Sequence, residues 1–473
     1  MSKPNAKILV IIVTWNKKEY VVNLLHSLAQ ISYPSELMDI LVVDNASNDG
    51  TVAALKQEFP HIKIIANTEN LGGTGGFNTG LAWAFEQPEQ TYDFLWLLDN
   101  DVVVHQHALT ELVHTLAENP DAAIAGSTML QLDYPWQINE MGAFVDRHSG
   151  SLTLNRHFEA IPSWRGKSID ELLVVDCDLT KQLLHCQPSM DVDYVAAASL
   201  LIRAPIAKQA GLWLDFFIHF DDVEWCLRLN QMGHRVLVSA RSLIWHLSAA
   251  AKVPSWILYY DNRNVLYLLQ RHSANSAAAL QHTIAYIAKK TLYYALLGKQ
   301  DLAELHLAAV HDFKNAVTGK KAIQLTGVTQ SIDDIAPLFL DQSIHSILVP
   351  YTINVQATKM QTPLAKAMKQ RDDLRVFYLV PPAKLKSPLT AQIPGAIPIH
   401  ISSSRLWRYW HYFKLRGQFD LVMQSDYQPI LPLSWLGREV VFINDENFCR
   451  RPKASFSNVK RLLPQILRYL FKN

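Results

Sequence analysis

Three short stretches set carboxylates and imidazoles at spacings that could do chemistry. In Leu97-Leu98-Asp99-Asn100-Asp101-Val102, two carboxylates stand two residues apart at the end of a very apolar run. If that run is a strand, both side chains face one side and their oxygens can converge on one ligand or cation. Two like charges brought so close are costly to bury unless a cation or a donor-rich partner neutralises them, which points to a metal-diphosphate site. The second stretch is Phe217-Ile218-His219-Phe220-Asp221-Asp222-Val223-Glu224-Trp225-Cys226-Leu227-Arg228. Asp221 with Glu224 three residues on has the form of a capping box that opens a helix from Asp222 to Met232. A cap explains one aspartate; the other, beside aromatic side chains, is expensive to desolvate unless it is used. The third is Trp245-His246, which follows the largely apolar run Val236 to Ile244 and so puts an imidazole at another strand-like terminus.

Two further stretches suit a phosphorylated ligand. Val42-Val43-Asp44-Asn45-Ala46-Ser47-Asn48-Asp49-Gly50-Thr51 runs from a strand through a polar turn into a helix. Ser47 or Asp49 capping that helix is one reading, and Asp44 accepting hydrogen bonds from a base or ribose is the other. In Asn70-Leu71-Gly72-Gly73-Thr74-Gly75-Gly76-Phe77-Asn78-Thr79-Gly80, glycines crowd the approach to a helix. They would let backbone come close to a diphosphate, aided by the helix N-terminus. The spacing is neither a dinucleotide fingerprint nor a P-loop, and a flexible loop is the alternative.

The elements that must position these residues alternate. Ile8 to Val13 and Ile40 to Val43 are continuous β-branched runs, the pattern of parallel strands buried on both faces, with helical spacing between them from Glu19 to Gln30,. A helix from Thr51 to Phe59, a strand from Ile62 to Ala66, a helix from about Thr79 and a strand from Phe94 to Leu98 continue the series. Such alternation predicts an α/β doubly wound sheet with its ligand beyond the carboxyl ends of the strands. Residues 256–330 are expected to be a helical segment. From about Ser343 the alternation returns, so residues 331–473 are expected to form a small C-terminal α/β domain behind a first domain spanning 1–255.

Bulk properties narrow the function. A chain of 473 residues exceeds one core,. With 44 basic and 43 acidic residues it carries no field for nucleic acid, so an anionic ligand must be met locally,. Cys177, Cys186, Cys226 and Cys449 have no metal or disulfide spacing and are expected to be reduced,. The N-terminal apolar run meets Asn16-Lys17-Lys18-Glu19 with no cleavage site, so a buried first strand is expected instead of a signal peptide,. No apolar stretch is long enough to span a bilayer. Val459 to Lys472 has apolar residues at helical spacing and basic ones opposite, as an interfacial helix would, with Pro464 and ordinary core packing as counter-arguments,.

In their order, these motifs resemble the family 2 glycosyltransferases of the GT-A fold over residues 6–272, and with Tyr259-Tyr260-Asp261-Asn262-Arg263-Asn264 they look most like the galactofuranosyltransferase branch, which shares much with bacterial rhamnosyltransferases. The resemblance implies that Thr14, Asn16 and Asp44 lie by the nucleoside, and Asn70, Gly72, Gly73 and Asp99 by the rest of the donor. It implies that Asp101 and His246 ligate Mn2+ or Mg2+, that Asp222 is the catalytic base, and that Asp221, Trp225 and His219 meet the acceptor. Arg263 and Asn264 match a helix start typical of the family, with no chemical role evident. The galactofuranosyltransferases carry a third acid in the Asp-x-Asp segment where this chain has Asn100, so dTDP-rhamnose stands beside UDP-galactofuranose as donor. The implied activity is inverting transfer to a saccharide or lipid-linked saccharide in surface polysaccharide synthesis. The implied setting is cytoplasmic, peripheral on the inner face of the membrane, and compatible with a homo-oligomer. A non-catalytic sugar- or nucleotide-binding subunit is the reading from another class; the joint presence of Asp99, Asp101, Asp222 and His246 speaks against it.

Overall fold

The structure is a computed structural model that describes residues 5–247, 255–325, 327, 329–350, 357–380, 395–427, 429–444, 446–452 and 456–471. Its first strand, β1 (Ile8–Thr14), is buried along its whole length. Ile8, Val10 and Ile12 enter one hydrophobic cluster, while Leu9, Ile11 and Val13 enter another. Two covered faces are why the run is continuously apolar. There follow α1 (Lys18–Leu28), β2 (Met38–Asp44), α2 (Thr51–Glu58), β3 (Lys63–Ala66), α3 (Gly72–Glu86) and β4 (Phe94–Asp99). β1 pairs in parallel with β2 and β4, and β2 with β3, so the strands share one direction and Thr14, Asp44 and Asp99 share one end of the sheet.

Beyond β4 the sheet also takes in antiparallel strands. The next elements are β5 (Val102–Val104), α4 (Ala108–Glu118), β6 (Ala122–Gln131), β7 (Ile138–Glu140), the paired β8 (Ala143–Val145) and β9 (Leu152–Leu154), α5 (Ile169–Leu172), β10 (Ser189–Asp191), β11 (Ser199–Arg203), α6 (Ala204–Ala210), α7 (Asp221–Gln231) and β12 (Arg235–His246). The sheet has ten strands in the order β10-β12-β6-β11-β4-β1-β2-β3, with β5 on β12 and β7 on β6. β11 lies between β4 and β6 and runs against both, whereas β6 and β12 are parallel. The sheet is therefore mixed.

The glycine-rich stretch also differs. It is already helix, since α3 begins at Gly72 and not near Thr79. A Cβ at Gly76 would stand 2.3 Å from a methyl of Val13, and one at Gly80 would stand 2.4 Å from a methyl of Ile11. These glycines let α3 lie close on β1, which is helix-sheet packing and not loop flexibility.

Two compact units are present: one of Met1–Ala250, Arg263–His282 and Asp312–Lys321, the other of Ala251–Asn262, Thr283–His311 and Ala322–Asn473. The helices α8 (Ile257–His272), α9 (Ser276–Leu297) and α10 (Gln300–Lys314) contribute residues to both. The second unit continues with β13 (Thr329–Ser331), α11 (Ala336–Leu340), β14 (Ser346–Val349), α12 (Ala357–Gln370), β15 (Arg375–Val380), β16 (Ile397–His400), α13 (Arg405–Leu415), β17 (Phe419–Ser425), β18 (Gly437–Ile443), β19 (Asn447–Pro452) and α14 (Phe456–Phe471). Its sheet runs β13-β19-β18-β17-β14-β15-β16, parallel from β18 to β16 and antiparallel at β19 and β13.

Helix α14 is the stretch expected at a membrane surface, and its Val459, Leu462 and Ile466 are buried in this unit's core with Leu302 and Phe442. Much of its apolar side is thus used inside the protein. Lys472, the last residue of that expectation, lies outside the described residues. No helix among the described residues is long and apolar enough to cross a membrane. All four cysteines are buried and unpaired.

Candidate active site

Strand register assembles the acidic cluster. Asp99 ends β4, Asp101 lies in the turn after it, and β5 starts at Val102, which pairs directly with His246, the last residue of β12. The imidazole therefore hangs beside the turn, with Nε2 at 3.1 Å from Asp101 Oδ1 and 3.9 Å from Asp99 Oδ2. Asn100 Nδ2 donates to Thr14 Oγ1 at 2.9 Å, which ties the turn to the end of β1. Among the described residues, Asp99, Asp101 and His246 form the one trio of such side chains whose ligand atoms lie within 4.8 Å of one another.

The electrostatics of the trio suit a cation. Burial, then the Asp101 charge, push Asp99 up to about 6. For Asp101, burial would raise the pKa, but the bond to His246 and its charge outweigh it and hold the carboxyl below the ordinary value. Burial would lower His246, and Asp101 reverses that, so its pKa is raised. Two carboxylates and an imidazole are a donor set for Mn2+ or Mg2+, the imidazole favouring manganese. A divalent charge there would relieve the repulsion felt by Asp99.

A strained loop brings the second pair of acids to the site. Phe217, His219 and Phe220 have φ of 69°, 64° and 66°, a left-handed conformation costly for residues with side chains,. Three devices hold it. Asn264 Nδ2 donates to the carbonyls of Phe216, Ile218 and His219 at 3.2, 2.8 and 3.0 Å. Arg263 donates to Phe216 O at 2.9 Å and to Gly319 O at 2.8 Å. Gly72, itself at φ +74°, leaves room for the Phe217 carbonyl where a Cβ would approach to 2.0 Å.

Helix α7 then begins at Asp221 with Phe220 as N-cap, and the capping box expected between Asp221 and Glu224 does not form. Instead Thr74 Oγ1 donates to Asp221 Oδ2 at 2.5 Å. Glu224 turns inward to Arg228 and His272. Asp222 accepts from the Ala197 N–H at 3.2 Å. Burial first, then the Asp221 charge, hold its pKa well above the carboxylate range. Asp221 is raised by burial too, against the pull of its bond to Thr74. Ala197, whose N–H Asp222 accepts, lies two residues before Ser199, which pairs with Leu98 beside Asp99, so Asp222 stands at the same end of the sheet as the trio.

At the strand ends, Asp44 accepts from the Ser47 N–H at 2.9 Å through Oδ2, while its Oδ1 is buried without a hydrogen-bond partner. An unmet acceptor there suits a ribose or base donor better than a finished turn. Asn16 is engaged with this turn at both ends, its N–H donating to Ser47 Oγ and its Oδ1 accepting from Asn48 N, each at 2.8 Å. Asp49, for its part, accepts from Thr51 N and Lys18 N.

Two residues expected at the site are placed otherwise in the structure. Trp225 is wholly buried, its indole donating to Gly211 O at 3.0 Å and lying on Trp213, so no surface remains to touch an acceptor. Gly72 has both backbone groups engaged, its N–H with Asn70 Oδ1 and its carbonyl with Asn45 Nδ2, which leaves Gly73, with open space around its Cα, as the glycine that could face a diphosphate. Other residues went unnoticed. Glu140 is buried and pushed up to about 7 by desolvation, within electrostatic reach of His246 and Asp222. Thr74 and Asn45 had only their neighbourhood to mark them, and Lys320, which donates to Asn70 O at 3.0 Å, had no signal at all.

A family model, Glycosyl transferase family 2, matches residues 9–163. The galactofuranosyltransferase GlfT2 of Mycobacterium tuberculosis is 25% identical over 253 residues, covering 53% of this chain and 38% of that protein. GlfT2 of Mycolicibacterium smegmatis is 25% identical over 322 residues, covering 65% and 47%. The chain thus matches less than half the length of these relatives. Among solved structures, S. aureus TarS 1-349 in complex with UDP-GlcNAc overlays with a TM-score of 0.43 at 14% identity, covering 78% of this chain and 93% of that one.

Proposed function

We propose that the chain, whose residues 9–163 match the family 2 glycosyl transferases, moves a sugar from a nucleotide diphosphate to a hydroxyl of a saccharide or lipid-linked saccharide, with inversion at the anomeric carbon. The observation that carries this reading is the convergence of Asp99, Asp101 and His246 at one sheet end, the end at which the start of α7 brings in Asp222. UDP-galactofuranose is the favoured donor because the relatives bear that activity in their names. A dTDP-rhamnose donor is the second reading, supported by Asn100 turning its amide to Thr14 where the galactofuranosyltransferases have an acid.

In this mechanism Thr14, Asn16 and Asp44 hold the nucleoside, with Asp44 Oδ1 accepting from a sugar hydroxyl. Gly73 turns its N–H, and α3 the positive end of its dipole, toward the diphosphate, the N–H groups of Gly72 and Thr74 being held by Asn70 and Phe217,. A divalent cation on Asp101 and His246 would supply the Lewis acidity that offsets charge growing on the leaving group. Asp222 takes the acceptor proton as that oxygen bonds to the anomeric carbon and the bond to the diphosphate breaks. Its raised proton affinity suits a general base. Asp221 and His219 orient the acceptor.

A thermal-shift panel of UDP, dTDP and GDP sugars, with and without Mn2+, tests the reading, because ligands that prefer the folded state raise Tm. Selective stabilisation by UDP or dTDP in the presence of Mn2+ is expected. Equal stabilisation with and without the cation would overturn the role given to Asp101.

A further inference from the structure

Helix α13 of the second unit is built with its apolar face outward. Leu406, Trp407, Tyr409, Trp410 and Phe413 keep 81, 58, 52, 44 and 72% of their accessible surface. At about 100° per residue, they and Lys414 cover an arc of roughly 160° on one side of the helix. The opposite side supplies the packing: Tyr412 is buried, and Arg408 donates to the carbonyls of Ser402 and Ser403 at 3.1 and 2.9 Å. A soluble surface helix normally does the reverse. The face is also ordered within itself, since Trp407 and Trp410 meet edge to face with centroids 5.6 Å apart and Lys414 Nζ sits 3.5 Å from the Trp410 ring centroid.

Charge identifies the occupant. From Asp373 to Asp420 no acidic residue intervenes, while Arg405, Arg408, Lys414 and Arg416 lie on or beside the helix. The same unit has no acidic residue after Glu446, and α14 adds Lys460 and Arg468, its Arg461 being paired with Glu304. Tryptophan and tyrosine favour the headgroup level of a bilayer, leucine and phenylalanine its acyl boundary, and lysine and arginine its phosphates. We infer that α13 is a membrane-docking helix that lies in the interface of a bilayer containing anionic lipid. This surface is separate from the transfer chemistry, because no residue of α13 belongs to the candidate active site. The element expected from sequence, α14, spends much of its apolar side in the core, whereas α13 has its apolar side free.

The test is co-sedimentation of the full chain with phosphatidylglycerol-phosphatidylcholine vesicles and with phosphatidylcholine alone. The parent should pellet with the anionic vesicles and remain largely in solution with the neutral ones. A Trp407→Ser/Trp410→Ser/Phe413→Ser variant should bind the anionic vesicles at least about tenfold more weakly, with its melting temperature and nucleotide-dependent thermal shift unchanged. Lys414→Glu/Arg416→Glu, which leaves the apolar face intact, should also weaken binding. A triple variant that pellets like the parent would overturn the proposal, as would a parent that ignores anionic vesicles or binds neutral ones equally well. A parent that binds no vesicle but forms an oligomer lost in the triple variant would assign the face to self-association instead.

Discussion

Asp222 meets two opposed demands. As the proposed base it must give up its proton, yet burial and the adjacent Asp221 make the folded protein hold that proton more tightly than the unfolded chain does. Stability from such a group is fully present below the unfolded value of about 4 and is lost as pH rises through the higher folded value. Asp222→Asn removes the titration at nearly constant shape. Its Tm should match the parent near the unfolded value and exceed it increasingly as pH rises, while turnover falls by roughly 100- to 10,000-fold and nucleotide binding survives. Melting curves across pH, set beside initial rates, check both halves, and a constant Tm difference would refute the burial argument. The other residue-scale prediction concerns His246, which is held at 3.1 Å from Asp101. His246→Ala should weaken Mn2+ binding by at least about tenfold in calorimetric titration, the lower bound for losing even an outer partner of a metal ligand.

The loop before α7 sets the element scale. Its three left-handed residues persist because Asn264 and Arg263 on α8 bind its carbonyls and Gly72 on α3 makes room for it. Asn264→Ala leaves three carbonyls without that donor and should cost about 1–3 kcal/mol. A lower Tm and a lower kcat, with donor affinity kept, are expected; an unchanged kcat would mean the loop is held without it. The sequence made the strand ends legible, because apolar runs stop abruptly at Asp44, Asp99 and His246 and polar chemistry there is visible from spacing alone. It did not make the loop legible, since left-handed backbone at Phe217 or His219 follows from distant partners. The same limit applies to α3, whose glycines serve contacts with Val13 and Ile11 that only the fold reveals, and to Trp225, whose buried side depends on where α7 packs. The antiparallel placement of β11 was equally hidden, because a short buried strand carries no mark of its direction.

At the scale of the whole molecule, neither unit is one continuous stretch of chain. In the second unit, Leu297, Leu302 and Leu307 pack with Val440, Phe442 and Ile466. A chain cut after residue 330 would strip the cover from those leucines, and we expect it to bind ANS and to elute as aggregate in size exclusion where the full chain does not. A monomeric, ANS-silent fragment would show that these helices stand without the C-terminal sheet. The bond from Arg263 to Gly319 carries a consequence for the order of synthesis. At about 5–20 residues per second, Asp222 leaves the ribosome on the order of 10 s before Gly319 does. For that interval the nascent chain holds its acids behind a loop whose clamp is unfinished, so the last act in maturing this end of the first unit waits on a segment translated long after the residues it steadies.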